Sequence, residues 1–448
     1  MSAAAGETAW PPAQTAWYVT ILLTLAYTFS FIDRQVLNLL VEPVRADLGL
    51  TDTQMSFLQG LAFVGAYVLM SIPIGRLIDS VNRVFVLAGG VFAWSLATIG
   101  CGAAGTYTQL VIARMGVGAG ESTVTPAAWS LLADYFPRER RALPVSIYLM
   151  GPYLGAGLAL IVGAEVMSWA RDMDSIVVPI LGAVAPWQLT FVIVGVPGFL
   201  LAAILLTIPE PKRRGRIAEK TAETTESTSV PWSVVMQYML QHWRIYFAFL
   251  VGVPFIVVLL YGLQAWVPTF LVRVHEWDIP QAGRYYGVVA LVTGSAGVLS
   301  GPVVARWLER RGIDDAPLRI AAVTSALACA AGIAGTLQSD PYLALALIGT
   351  ASFFVTMPMA LVTAALQTVT PNEMRGLVAG IVVVMNNVVG LALGPTVVAL
   401  FTDQVFRDPL AVGKSLALLF AIVAPIAVFF LASGMRPYRD TIRQLDRE

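Results

Sequence analysis

Twelve runs of about 20 mostly apolar residues, each long enough to cross a bilayer, follow one another along this chain. They cover roughly 15–40, 53–77, 84–104, 107–134, 142–168, 188–208, 245–272, 283–307, 318–338, 342–369, 376–402 and 413–434. No water-soluble domain can bury that much apolar surface. Only 12% of residues are charged, against roughly 25% in an average soluble domain, while 57% are hydrophobic. In hydrocarbon every backbone polar group must be satisfied internally, and runs of this length do so as helices. The expected fold class is an all-α membrane protein of 12 transmembrane helices.

One polar stretch divides the runs six and six. Pro209-Glu210-Pro211-Lys212-Arg213-Arg214 leads into a Thr/Glu-rich segment. The expected organisation is an N-terminal six-helix bundle at 1–208, a cytoplasmic linker at 209–235 and a C-terminal six-helix bundle at 236–448. Residues 232–244, with Trp232, Met236, Tyr238, Met239 and Trp243, read either as a short interfacial helix or as an extension of span seven. The outer segment 169–187, with Arg171, Asp172 and Asp174, is longer than a minimal loop. Twenty of the 28 Lys and Arg residues fall on the side of both termini and six on the other, which predicts cytoplasmic termini.

The halves echo each other. Pro137-Arg138-Glu139-Arg140-Arg141-Ala142 after span four parallels Pro371-Asn372-Glu373-Met374-Arg375-Gly376 after span ten. Gly75 to Arg83 parallels Gly301 to Arg310. Gly151/Gly155 with Pro152 parallels Gly390/Gly394 with Pro395, and Cys101 parallels Cys329. The offsets run from 226 to 239 residues, about half of the chain. Two parallel-related six-helix bundles with a midplane site at their interface describe a secondary transporter. The cavity is expected to be lined by spans one, four, seven and ten.

Other functions fall away. Zero net charge argues against a nucleic-acid partner. Two cysteines and two histidines exclude a disulfide framework, a zinc cluster and an iron–sulfur site. Gly413-Lys414-Ser415 lacks the phosphate-loop glycine, for which Asp408 stands, and Gly116, Gly118 and Gly120 have the wrong spacing for a dinucleotide loop. No hydrolase elbow or metalloprotease motif occurs, and the N-terminus lacks a short cleavable signal. The expectation is no enzyme, no cofactor, no metal and no fused ATPase.

A charge at a span centre costs about 2.5–3.5 kcal/mol on insertion scales and is by default a functional-site hypothesis. Asp33, Arg34, Arg114 and Glu121 are such charges, in spans one and four, and they sum to zero. At 1.5 Å per residue, Asp33, Arg34 and Arg114 lie about 10 Å below the outer surface, with Glu121 roughly 10 Å deeper. Arg114 is expected to meet Asp33, and Arg34 to reach Glu121. Either the network only pins span one to span four, or it couples transport to protons through Glu121 and Asp33 while Arg34 and Arg114 meet the substrate headgroup. The second half offers no charge well inside its spans. Its cavity candidates are Tyr261, Gln264, Trp266, Phe353, Phe354, Met357, Asn386 and Asn387, each of which also suits plain core packing. Glu165 reads as interfacial and His275 as a solvated loop residue. Asp134 and Glu139 are expected to pair with local arginines.

Gly75-Arg76-Leu77-Ile78-Asp79-Ser80-Val81-Asn82-Arg83 resembles the signature between helices two and three of the major facilitator superfamily. Arg114 with Gly116, Gly118 and Gly120 is similar to its helix-four motif, and Met150-Gly151-Pro152-Tyr153-Leu154-Gly155 to its helix-five motif. Phe31-Ile32-Asp33-Arg34, the run Arg114 to Ser122, and Ala133-Asp134-Tyr135-Phe136-Pro137 resemble the Spinster branch. That resemblance implies a bacterial inner-membrane transporter, taken to be a monomer, for an amphipathic lipid-like substrate of the lysophospholipid or sphingolipid class. It also implies a gate formed by Gly75, Asp79 and Arg83, in which Asp79 meets the free amides at the start of span eleven. Asn82 stands where the motif usually has Gly. Ala305 replaces the acidic residue of the second-half copy, so the gate is expected to be one-sided. The competing readings are a carrier of small organic anions on the same fold and a non-transporting sensor.

Overall fold

The computed structural model describes residues 10–137, 140–171, 176–178, 182–213, 232–371 and 374–445. Among them the chain makes twelve helical crossings. α1 (Ala13–Leu39) is the first, joined by α2 (Val41–Leu48) to a second made of α3 (Asp52–Gln59) and α4 (Leu61–Ser80). α5 (Arg83–Gly102) is the third, and α6 (Tyr107–Glu121) with α7 (Val124–Tyr135) the fourth. α8 (Ala142–Tyr148) and α9 (Gly151–Ala170) form the fifth. An antiparallel hairpin of β1 (Ile176–Val178) and β2 (Gly182–Val184) leads to α10 (Pro186–Leu205), the sixth.

In the second half α11 (Trp232–Gln241) precedes the seventh crossing. That crossing comprises α12 (Trp243–Phe247), a π-helical turn and α13 (Val253–Val274). α14 (Ile279–Glu309) and α15 (Ala316–Thr336) are the eighth and ninth, and α16 (Pro341–Thr356) with α17 (Met359–Val369) the tenth. α18 (Arg375–Met385), a π-helical turn at Asn386–Leu391 and α19 (Ala392–Leu400) make the eleventh, and α20 (Val412–Leu445) the twelfth. Eleven crossings are long and apolar enough to span a membrane; the fourth is broken into pieces of 15 and 12 residues.

The breaks have local causes. A Cβ on Gly60 would meet the Leu391 carbonyl at 2.7 Å, so span eleven presses on span two where α3 gives way to α4. After Glu121 the helix breaks at Ser122 and Thr123, whose hydroxyls bond the Ala119 and Gly120 carbonyls at 2.7 and 2.9 Å. Span ten breaks at Met357 and Pro358, where proline lacks an N–H. The repeat is visible in packing. A Cβ on Gly155 would lie 2.6 Å from the Cβ of Phe31 in span one, and one on Gly394 would lie 3.1 Å from that of Tyr261 in span seven.

Residues 232–241 form a separate helix that stops before His242, rather than an extension of span seven. Arg138, Glu139, Asp172, Asp174, Asn372, Glu373 and residues 214–231 of the expected linker lie outside the described residues. The end of the bundle bearing both chain termini is termed proximal here, the other distal. At the proximal end α20, about 51 Å long at 1.5 Å per residue, outruns a hydrocarbon layer of about 30 Å. Its last turns are tied to the loop before α15 by Arg439–Asp315 at 3.2 Å and Arg443–Asp314 at 2.7 Å.

Candidate functional site

At the centre of the first half, Arg34 donates from Nη2 to Glu121 Oε2 at 2.6 Å, and Ser30 Oγ donates to the same oxygen at 2.7 Å. Both charged side chains are buried, 7% and 0% exposed. The Arg34 guanidinium lies 4.4 Å from the ring centres of both Phe31 and Phe63. Tyr67 of α4 and Tyr261 of α13 lie within electrostatic reach of it. The α6 break after Glu121 ends the helix at this carboxylate.

Arg114 differs from its expectation. It lies at the depth of Asp33, yet makes no ion pair among the described contacts. Its Nη1 donates to the Asp33 main-chain carbonyl at 3.2 Å, its Nη2 to that of Arg34 at 3.5 Å, and its Nε to that of Leu58 at 3.2 Å. The Leu58 carbonyl lies just before the helix break at Gly60. Arg114 is fully buried and thus clamps two backbones instead of facing a cavity. The Asp33 carboxylate, also buried, sits beside Trp94 and Thr98 of α5, and its Oδ1 has no hydrogen-bond partner among the described residues.

The second-half candidates divide. Tyr261 stands beside Arg34. Gln264 accepts from Gln35 Nε2 at 2.6 Å, so it binds the first half directly. Trp266 is fully buried and donates to the Pro395 carbonyl at 2.9 Å, which places it in the core. Met357 is buried in a small cluster with Ala305, Ile320 and Leu361, a contact among spans eight, nine and ten. Phe353 and Phe354 pack edge to face at 5.4 Å. Asn387 bonds its own helix at the Val383 carbonyl, whereas the Asn386 Oδ1 is buried without a partner among the described residues.

Polar contacts between the halves gather at the distal end. Deepest is a ring of amides. Gln35 bonds Gln264, Asn38 bonds Gln35, and Gln59 Nε2 reaches Asn38 Oδ1 at 3.1 Å and the Ala265 carbonyl at 3.2 Å. Above it Arg273 of α13 donates to Glu42 at 2.6 Å and to both oxygens of Asp52 at 2.6 and 2.7 Å. Outermost, Asp403 accepts from the Thr53 amide and hydroxyl, both at 2.7 Å. Arg284 also bonds Glu165 at 2.6 Å, on an exposed edge. His275 is half-buried, with its ring edge-on to Phe270 at 4.9 Å.

The proximal ends of spans two and eleven stand apart. Span two meets span eleven at the π-helical turn Asn386–Leu391, whereas α4 and the proximal α18 make almost no close contact. The cleft is therefore closed distally and open proximally. Arg83, almost fully buried, binds Asp134, Ser130 Oγ at 2.9 Å and Glu210 at 2.7 Å. Arg213 donates to the carbonyls of Ile78, Asp79 and Val81, which end α4. Asn82, the departure from the motif, caps α5 by accepting from the Phe85 amide at 3.0 Å.

A family model described as Major Facilitator Superfamily matches residues 23–395, most of the chain. The chain belongs to that superfamily. Its family and fold are thus those of transporters, not enzymes. This facilitator is 26% identical over 434 residues to an MFS-type efflux pump of Mycolicibacterium smegmatis, covering 96% of this chain and 95% of the relative. It is 25% identical to a probable galactarate/D-glucarate transporter of Bacillus subtilis, with 84% and 83% covered. Among solved structures, a bacterial homologue of the human lysosomal transporter Spinster, inward-facing and unoccupied, superposes with a TM-score of 0.74 at 25% identity. That match covers 97% of this facilitator and 98% of the homologue.

Ser30, Phe63, Gln35, Asn38, Gln59, Asp52, Asp403 and Arg273 were not singled out from the sequence, and Phe31 entered only as part of a motif. Ser30, one turn before Arg34, was findable from i, i+4 spacing. The rest depend on contacts between distant spans.

Proposed function

We propose that this chain is a proton-coupled secondary transporter that moves an amphipathic, lipid-like anion by alternating access. The observation that carries this reading is the buried Arg34–Glu121 pair in a cleft closed at one end and open at the other. Of the five N–H donors of a guanidinium, the Arg34 contacts described here engage one, so donors remain for a phosphate or carboxylate headgroup. Among the described contacts Arg114 binds backbone carbonyls only. A substrate with one anionic group and an apolar body suits a single available cation facing a largely uncharged second half. A dicarboxylate would call for a second cation. We take the bundles as residues 1–208 and 236–448, both termini as cytoplasmic and the protein as a monomer of a bacterial inner membrane. The proximal opening then faces inward. The likeness to a galactarate/D-glucarate transporter supports the second reading, a carrier of small organic anions.

Uptake into proteoliposomes, with and without a pH gradient, separates the two. Labelled lysophospholipid is expected to accumulate when the gradient is imposed, and glucarate is not. Gradient-driven glucarate uptake with inert lysophospholipid would reverse the assignment.

The gate role of Asp79 belongs to the same reading. Asp79→Ala removes the anion that meets the amides at the start of span eleven in the proximally closed state, and should destabilise that state. A carboxylate at a helix N-terminus contributes roughly 0.3–1 kcal/mol, up to about 2 when partly buried. The open population should rise several-fold, seen as longer distances between labels on the proximal ends of α4 and α18. Identical distributions in variant and wild type would remove Asp79 from the gate.

A further inference from the structure

We infer that Phe31 and Phe63 are positioning residues that hold the Arg34 guanidinium in a fixed slot, so that it keeps its place when Glu121 takes a proton and lets it go. The inference rests on the roles proposed above for Arg34 and Glu121.

The slot is built from three sides. The two rings cover the guanidinium, each centre 4.4 Å from Cζ, and Glu121 closes one edge at 2.6 Å. Phe63 is fully buried and Phe31 nearly so. Their backbones are pressed into place through glycines. A Cβ on Gly118 would strike the Phe63 carbonyl oxygen at 2.3 Å, and one on Gly155 would strike the Phe31 Cβ at 2.6 Å. The small residues of spans four and five thereby set where both rings stand. Phe63 also has the Arg114 guanidinium 5.7 Å from its centre, so the ring lies between two like charges.

The chemistry explains why rings are used. An aromatic face attracts a cation through its quadrupole and does not neutralise it. A phenyl ring has no proton to gain or lose, so its hold does not change with pH. A carboxylate's hold vanishes on protonation. Without the rings, a buried arginine deserted by its carboxylate would be left uncompensated, which is costly, and would swing towards water in the cleft. With them, it stays put and presents its free edge. An anion reaches Arg34 through the N–H donors that Glu121 leaves free, the geometry of a forked pair. The other ionisable groups facing the pair are Asp33 of α1, Tyr67 of α4, Arg114 of α6 and Tyr261 of α13.

The test uses the full chain in lipid nanodiscs, with labels on the proximal ends of α4 and α18 and pH as the variable, so no substrate is needed. Rings that keep Arg34 beside Glu121 favour the ionised carboxylate. Phe63→Leu and Phe31→Leu should therefore move the pH midpoint of the conformational switch upward by roughly 0.4–1.5 units, a two- to thirty-fold change in equilibrium constant. Phe63→Tyr and Phe31→Tyr should restore it. A purely packing role would lower thermal stability and leave the midpoint in place, and that result overturns the inference. If the wild type shows no pH dependence, the proton reading fails and a structure of Phe63→Leu decides the slot alone. A guanidinium displaced from Glu121 supports the inference; one still paired at the wild-type distance overturns it.

Discussion

Replacing Arg273 with Ala opens the distal end. This side chain is 5% exposed and joins α13 of the second half to Glu42 and Asp52 of the first. Asp52 is itself fully buried, and its other cation, Arg45, is 3.3 Å away and partly exposed. Removing one member of a buried ion pair typically costs about 3–5 kcal/mol, because the charge left behind is neither paired nor hydrated. That cost falls on the distally closed state, since parting the halves lets water reach both carboxylates. Transfer of only about 2 kcal/mol to the equilibrium shifts it roughly thirty-fold. The amide ring and the Asp403–Thr53 contact remain, so the protein should redistribute without unfolding. Labels on α2 and on the distal end of α13 should show a new, longer distance. A wild-type distribution in Arg273→Ala would mean that the remaining contacts, the amide ring and Asp403–Thr53 among them, hold this end shut.

Glu121→Gln should abolish or strongly weaken accumulation driven by a pH gradient while leaving folding and substrate binding measurable. The carboxylate bonds Arg34 and Ser30 in the proximally open state. If rocking of the halves changes what surrounds the Arg34–Glu121 pair, the proton affinity of Glu121 must differ between conformations. Protonation must then bias conformation in return. Glutamine keeps the shape and one acceptor but cannot carry the proton. Uptake measured with and without the gradient separates the two effects: downhill exchange should survive and uphill accumulation should not. Persistence of uphill transport with wild-type pH dependence would move the coupling site to Asp33, which forms no ion pair among the described contacts.

Arg34 and Glu121 were legible as a pair because depth along a helix follows from residue count and rise, and two buried opposite charges at reachable depths seek each other. The same reasoning misled for Arg114. Depth placed it near Asp33, but counting charges does not reveal carbonyls. The Leu58 carbonyl beside the break at Gly60 and two carbonyls of α1 offer acceptors that no composition shows. For Trp266 and Met357 the sequence left cavity and core both open, because position in a span says nothing of azimuth and only packing distinguishes a wall from a core. Arg273 was missed for a related reason. It stands at the end of a span, and its partners lie more than 200 residues earlier in the chain. Contacts between the two halves are the least legible part, since they belong to one conformation and the sequence encodes at least two.

The length of α20 has a mechanical consequence. Roughly 20 Å of this helix projects beyond a hydrocarbon layer of about 30 Å, and Asp314 and Asp315 brace it against its own half. It is a handle on the second bundle. A rocking of a few degrees at the core becomes a displacement of the handle tip that grows with its distance from the pivot. A reporter joined to Leu445 through a continuous helix would follow the tilt of one bundle as a lever follows its axle, without a label inside the membrane.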